Sequence, residues 1–273
     1  MMKKLFLIPL FCVCLMAGCV NYNNTCKQSD STVIGHSEVL FDLRPELLRS
    51  REAPIGNLVA DSLFYAANNQ AGAEADLAIV PATIFKTSTG CGNREFIERG
   101  DITKGDLTAL FGTESIPLVT IEVTSSQLKK ILEISVSSLG DPLADSEAIS
   151  FLQVSAQLAF TVDCEQQAHI TASDGSEYAG MRIDNSLVLI GPEGHEITLE
   201  NWDSNTPIHI VTTQDLAAGQ NVYNFLAEAN VIATLSHDLA SVVESYISEI
   251  APITSEKLSG GRIRLLDNCY NIK

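Results

Sequence analysis

Between Ile55 and Val80 the apolar pattern changes period, and that change constrains the fold more than any other feature of the chain. Ile55, Leu58, Val59, Leu63 and Ala66 recur at helical spacing, and the short run "ADLAIV" that follows reads as a buried strand. The same alternation continues downstream. "KGDLTALF" opens on a Gly-Asp turn and reads as a short helix, and "PLVTIEV" then sets Val119, Ile121 and Val123 on one face of a strand. At Thr124 and Ser125 the pattern hands over to a helix, "SQLKKILEISVSSL", with Leu128, Ile131, Leu132 and Val136 inward. Residues 149–163, "NSLVLIG" and "PIHIVTT" read as extended, while "DCEQQAHITASDGSEYAG" and "PEGHE" are hairpin or loop material. A last long helix is expected through Ile232, Leu235, Leu239, Val242, Val243, Tyr246, Ile247 and Ile250, ending before Pro252, and "GGRIRLL" closes as a strand. Neighbouring strands with separated helices argue for the α+β class rather than a regular doubly wound sheet. A folded part of roughly 230 residues suits one large domain or two intimately packed halves.

The first residues, "MMKKLFLIPLFCVCLMAGCV", carry Lys3 and Lys4, a short apolar core and a small-residue exit, the form of a secretory signal over residues 1–18. The ending "LMAGC" resembles a bacterial lipobox, which implies acylation of Cys19; two or three acyl chains give stable anchoring where one does not. The polar run after Cys19 reads as a flexible tether over residues 19–37. The expectation is an exported protein, held on a membrane without crossing it. Val20 stands where an aspartate would resemble an inner-membrane retention signal, which favours the outer membrane, facing the periplasm or the surface. The alternative is ordinary cleavage that frees the protein.

The 273-residue chain carries 17 basic and 34 acidic side chains; without Lys3 and Lys4 the net charge is −19. Such a surface repels polymeric nucleic acid and anionic lipid headgroups, though local arginines can still hold a small nucleotide. Besides Cys19, the mature part keeps Cys26, Cys91, Cys164 and Cys269. In an exported protein an even set points to disulfides, whose pairing the sequence leaves open; zinc is the competing reading, but no C-x-x-C spacing occurs. His36, His169, His195, His209 and His237 are scattered singly and read as surface or structural residues.

Seven pieces, in order, resemble the C-terminal domain of the 5'-nucleotidase family, which includes UDP-sugar hydrolase and cyclic-nucleotide phosphodiesterases of the periplasm. "IGNLVADS" looks like its G-N-L-x-A-D-A opening, "ADLAIV" like its A-D-x-A strand and "GDITKGDL" like its G-x-I-T-x-G-D-L turn. "TIEVTSSQLKKILE", "FLQVSA", "VTTQDLAAGQNVYNF" and "SYISEIAPITSEKLSGGRI" are similar to its later segments. The resemblance covers residues 38–266, leaving 267–273 as a C-terminal tail, and implies a mixed sheet packed with helices. In complete members, it implies, this domain recognises the nucleotide while an upstream metallophosphatase domain holds two metal ions and hydrolyses it. Motifs of that catalytic domain are absent from the sequence, so no cofactor is expected and the chain is not expected to cut phosphate esters unaided.

The resemblance also implies a base clamped between two aromatic rings, with arginines and an asparagine on the ribose or phosphate. Tyr223 in "GQNVY" takes one aromatic place, and Phe111 in "LFGTESIPLV" is the nearest candidate for the other, with core packing as its alternative. The family's N-x-G-G-I-R loop lines up with "PATIFK", so Pro81 replaces the asparagine, Thr83 and Ile84 the glycines, and Lys86 the arginine. Lysine keeps the charge without the planar fork, and the lost glycines hinder close approach of the backbone. Arg49 and Arg51 in "LLRSREAPIGN" stand where a substrate-contacting arginine is implied; two solvated arginines are the alternative. Asn57 and Asp61 are expected to cap and orient the helix start, and Arg262 to be structural.

Three functions compete. One is a lipid-anchored, stand-alone specificity domain that binds a nucleoside or nucleoside 5'-monophosphate in nucleotide catabolism, beside a separately encoded metallophosphatase. Another is a non-enzymatic surface lipoprotein whose nucleotide pocket has decayed and which binds another ligand or protein. The third is an enzyme with an unrecognised site, for which Ser155 and Asp215 lack an evident histidine partner.

Overall fold

A computed structural model describes residues 30–86, 88–89, 92–93, 95–140, 149–172, 174–184, 186–191, 194–203 and 206–270. The signal segment, Cys19, Cys26 and Cys91 lie outside the described residues, so the readings placed on them stay expectations. The helices are α1 (Pro45–Leu48), α2 (Pro54–Asn68), α3 (Lys104–Phe111), α4 (Ser125–Ser135), α5 (Gln214–Ala217) and α6 (Leu239–Ile250). A five-stranded sheet runs in the order Asn230–Thr234, Leu118–Val123, Ile208–Thr213, Leu77–Pro81, Leu152–Val154. It is mixed: Leu77–Pro81 lies parallel to Ile208–Thr213, and the other pairings are antiparallel. The fold is α+β, as the pattern of elements requires.

Both faces of this sheet are buried, and the period of two along each strand sorts its side chains between two cores. Ala78, Val80, Leu118 and Val211 join α2, α3 and α6 in one core. Leu77, Ile79, Val119, Ile121 and Ile210 face the other, which α4 closes together with a second sheet, ordered Glu196–Thr198, Val188–Ile190, Leu158–Val162, Ile263–Leu265. Leu77, Ile79, Val80 and Ile121 are fully buried, and each such side chain contributes on the order of 2 kcal/mol. Helices α3 and α4 both start in capping boxes. Thr103 exchanges hydrogen bonds with Asp106, and Thr124 with Gln127, satisfying amide groups that the first turn leaves without partners.

Three sequence-based expectations need correction. Residues 33–37 belong to the fold rather than to the tether, since Val33–Ser37 pairs antiparallel with Gly100–Thr103. The long last helix begins only at Leu239, where Asp238 caps it through the Ser241 amide; Asn230–Thr234 is instead the edge strand of the main sheet. Ile232 and Leu235 matched the helical spacing, but the β-branched "NVIAT" pairs with Leu118–Val123. The tail also packs. Cys269, in the turn Asp267–Tyr270, is disulfide-bonded to Cys164 across a sequence separation of 105. No described helix is long and apolar enough to cross a membrane.

Candidate functional site

The loop that carries Arg49 and Arg51 is held by a single buried side chain, Gln153. Its Nε2 donates to the carbonyls of Leu48 (2.8 Å) and Arg51 (2.9 Å), and its Oε1 accepts from the Ala53 amide (3.1 Å). A polar residue in the middle of the buried strand Leu152–Val154 thus satisfies three backbone groups of an irregular loop, the condition for burying such groups at all. Gly56 lets it happen: a Cβ there would come within 2.4–2.5 Å of the Gln153 side chain.

A second set of contacts fastens the same region to the end of the chain. Glu52 accepts from the amides of Gly261 (2.9 Å) and Ile263 (3.1 Å), and from Asn57 Nδ2 (2.7 Å). Arg262 grips Asp61 in a two-pronged ion pair at 2.8 and 2.7 Å and donates as well to the carbonyls of Val154 and Ser259. Asn57 and Asp61 therefore do not cap α2, whose N-cap is Ala53 without a side-chain cap; they dock the helix onto the closing strand. Arg262 is structural, as expected.

On this frame Arg49 is half-buried and Arg51 exposed. The Arg49 Nε is buried and makes no hydrogen bond. The Arg51 guanidinium lies 5.7 Å from the centroid of the Tyr270 ring, a cation–π contact. Lys86 is exposed, its amide donates to Leu110 O (2.8 Å), and its side chain runs over Gly112, where a Cβ would stand 2.5 Å from Nζ. Arg44, Lys104, Lys130 and Arg262 each meet a carboxylate. No ion pair involves Arg49, Arg51 or Lys86 among the described residues. Pro81, which opens the segment ending at Lys86, pairs with Leu152, the neighbour of the Gln153 that holds Arg51, while Lys86 itself lies against Leu110 and Gly112.

The two aromatic candidates are placed apart. Phe111 is 1% exposed and packs against Phe85, ring centroids 6.3 Å apart, in the core beneath α2 and α6. Tyr223 has no exposed surface and belongs to the opposite core, where its hydroxyl donates to Ser150 O. Burial pushes its phenol well above the usual value, against the opposing effect of a hydrogen bond with Ser135. As placed, the rings present no facing pair between which a base could lie. Lys86 and Phe111 adjoin, as do Arg49 and Arg51, whereas Tyr223 stands alone. Gln153 and Glu52 are not among the sequence candidates; a polar residue inside the apolar run "FLQV" is the signal that marks the first.

Among the other candidates, Ser155 is buried, and its hydroxyl accepts from the Ala78 amide at 2.9 Å, while Asp215 sits exposed in the first turn of α5. His36 contacts Asp101 at 3.0 Å and His209 lies 3.7 Å from Glu122. Burial lowers the pKa of His169. Among the described residues no three His, Cys, Asp or Glu side chains converge to cradle a metal ion.

A mixed five-stranded sheet between two cores, with an arginine-bearing loop locked at its edge, defines the α+β domain. The profile of the 5'-nucleotidase C-terminal domain matches residues 33–228, and the chain belongs to that family. It is 23% identical over 242 residues to the trifunctional nucleotide phosphoesterase YfkN of Bacillus subtilis, covering 88% of this chain and 14% of that one. A 5'-nucleotidase-related protein of Glossina morsitans morsitans is 25% identical over 235 residues, covering 86% and 38%. In fold the chain is similar to the 5'-nucleotidase precursor of Thermus thermophilus, with a TM-score of 0.64 at 21% identity, covering 86% of this chain and 40% of that one. It thus spans well under half of each relative.

Proposed function

We propose that this chain is a nucleotide-recognition domain that works apart from its catalytic half, reading the anionic end of a nucleoside 5'-monophosphate through Arg49, Arg51 and Lys86. The observation that carries the reading is a pair of arginines on a fixed loop backbone: Gln153 holds the loop with three hydrogen bonds, and among the described residues no carboxylate pairs with either side chain. On a chain of net charge −17, cations left without acidic partners are suited to an anionic ligand. Hydrolysis then requires a separately encoded metallophosphatase, with the composite site between the two chains, and acylation of Cys19 holds the domain on the membrane. Mixing the chain with such a partner is expected to raise phosphate release from AMP above the partner alone. Arg49→Gln together with Arg51→Gln is expected to abolish the gain, and no gain with the unaltered chain refutes the reading.

A second reading, a surface lipoprotein that no longer binds nucleotide, is favoured by the burial of Tyr223 and Phe111 in separate cores. Calorimetric titration with AMP, adenosine and UDP-glucose separates the two. Under the second reading none of the three gives heat or raises the melting temperature.

A further inference from the structure

A groove of about 820 Å³ opens between the end of α2 and the outward side of α6, and its lining differs in chemistry from the arginine loop. Tyr65, Asn69, His237, Ser241, Ser245 and Glu249 line it, and among the described residues no lysine or arginine does. Tyr65 is braced by Tyr246, ring centroids 5.3 Å apart at 49°. One wall is fixed by Gln70, which spans the Thr234 carbonyl (3.1 Å) and the Ser236 amide (2.8 Å). Glu244, also in the lining, is neutralised by Lys104 at 2.7 Å, which leaves Glu249 as the carboxylate without an ion pair among the described residues.

We propose that this groove binds an oligosaccharide bearing amino groups. Sugar rings carry an apolar C–H face that lies on an aromatic ring, and an edge of hydroxyls that needs partners able both to donate and to accept. A braced tyrosine with three hydroxyl or amide side chains along one helix-lined groove supplies both. The imidazole of His237 adds a further partner for hydroxyls. Glu249 and a described lining without basic side chains disfavour phosphates, so the groove and the arginine loop select opposite charges. A single unpaired carboxylate gives a strongly cationic peptide little to hold, whereas it matches one amine on a sugar.

Calorimetry with the purified chain tests this directly, using the β-1,4-linked glucosamine tetramer, its N-acetylated form, tetralysine and AMP as probes. The glucosamine tetramer is expected to bind, the acetylated form about threefold more weakly, the size of one exposed ion pair, and tetralysine not measurably. Ser245→Arg, which fills the groove from an exposed helix position, is expected to abolish saccharide binding while leaving the melting temperature and any response to AMP unchanged; Ser241→Arg serves if the first variant misfolds. Absence of heat with both saccharides, the acetylated tetramer binding at least as tightly as the glucosamine tetramer, tetralysine binding as tightly as the glucosamine tetramer, or saccharide binding that survives the arginine substitution overturns the proposal.

Discussion

Replacing Arg262 by methionine removes one partner of the Asp61–Arg262 pair and keeps most of the side-chain volume. The side chains of Arg262 and Asp61 are 4% and 10% exposed, so water does not take over the lost contacts. Asp61 keeps its bond from the Ala156 amide (3.0 Å) but loses both guanidinium donors, and the carbonyls of Val154 and Ser259 lose theirs. Breaking one side of a buried ion pair costs about 3–5 kcal/mol, because the surviving charge stays desolvated. At about 2–4 °C per kcal/mol for a domain of this size, the melting temperature is expected to fall by about 10 °C. The decisive comparison is the double variant Asp61→Leu with Arg262→Met. It removes the stranded carboxylate, and replacing a whole buried pair by apolar groups is often close to neutral, so it is expected to recover most of the loss. Thermal denaturation of the four proteins of the cycle measures the coupling. A single variant that melts within about 2 °C of the parent, or a double variant less stable than the single, refutes the view that this pair fastens the closing strand to α2.

Three further outcomes follow from the geometry. Gly56→Ala is expected to cost about 1–3 kcal/mol by colliding with Gln153, yet to be neutral or stabilising in a Gln153→Ala background, where only the helix preference of alanine remains; urea denaturation of the cycle checks the reversal. Replacing Cys164 and Cys269 by alanine is expected to cost about 3–5 kcal/mol through the entropy of a long loop in the unfolded chain, and an unchanged urea midpoint refutes it. Burial raises the pKa of Glu133, opposed by its hydrogen bonds from the Ile183 and Arg182 amides. A carboxyl whose folded-state pKa lies above its unfolded value binds its proton more tightly when folded. Its contribution to stability is therefore greatest below the unfolded value near 4.5 and declines as pH rises through the folded value. The difference in melting temperature between the parent and Glu133→Gln is expected to move against the parent across that window, and a flat or rising difference refutes the assignment.

What the sequence disclosed and what it hid divide along a physical line. Period and capping chemistry act over a few residues, so α2, α3, α4 and the strand Leu118–Val123 were legible, and Thr103 and Thr124 begin helices as their neighbours require. Ile232 misleads because the same spacing serves a helix and an exposed edge strand, and the pairing that decides between them lies more than 100 residues away in sequence. The direction of an aromatic ring is likewise set by distant partners: Tyr223 turns inward toward Ser150, 73 residues earlier, which "GQNVY" cannot express. The site was the least legible part for a related reason. Gly56, Asn57, Asp61, Gln153 and Arg262 lie in the segments that carry the family resemblance, and they hold α2, the arginine loop and the closing strand to one another. A resemblance built on such residues reports the frame. Pro81, Thr83, Ile84 and Lys86, where the sequence departs from the family pattern, lie outside that set of contacts, so the ligand can change while the frame persists. That separation makes the arginine variants the sharper probe: Arg49 and Arg51 supply none of the lock's side-chain hydrogen bonds or ion pairs, so substituting them can alter recognition at the cost of only the Arg51–Tyr270 ring contact.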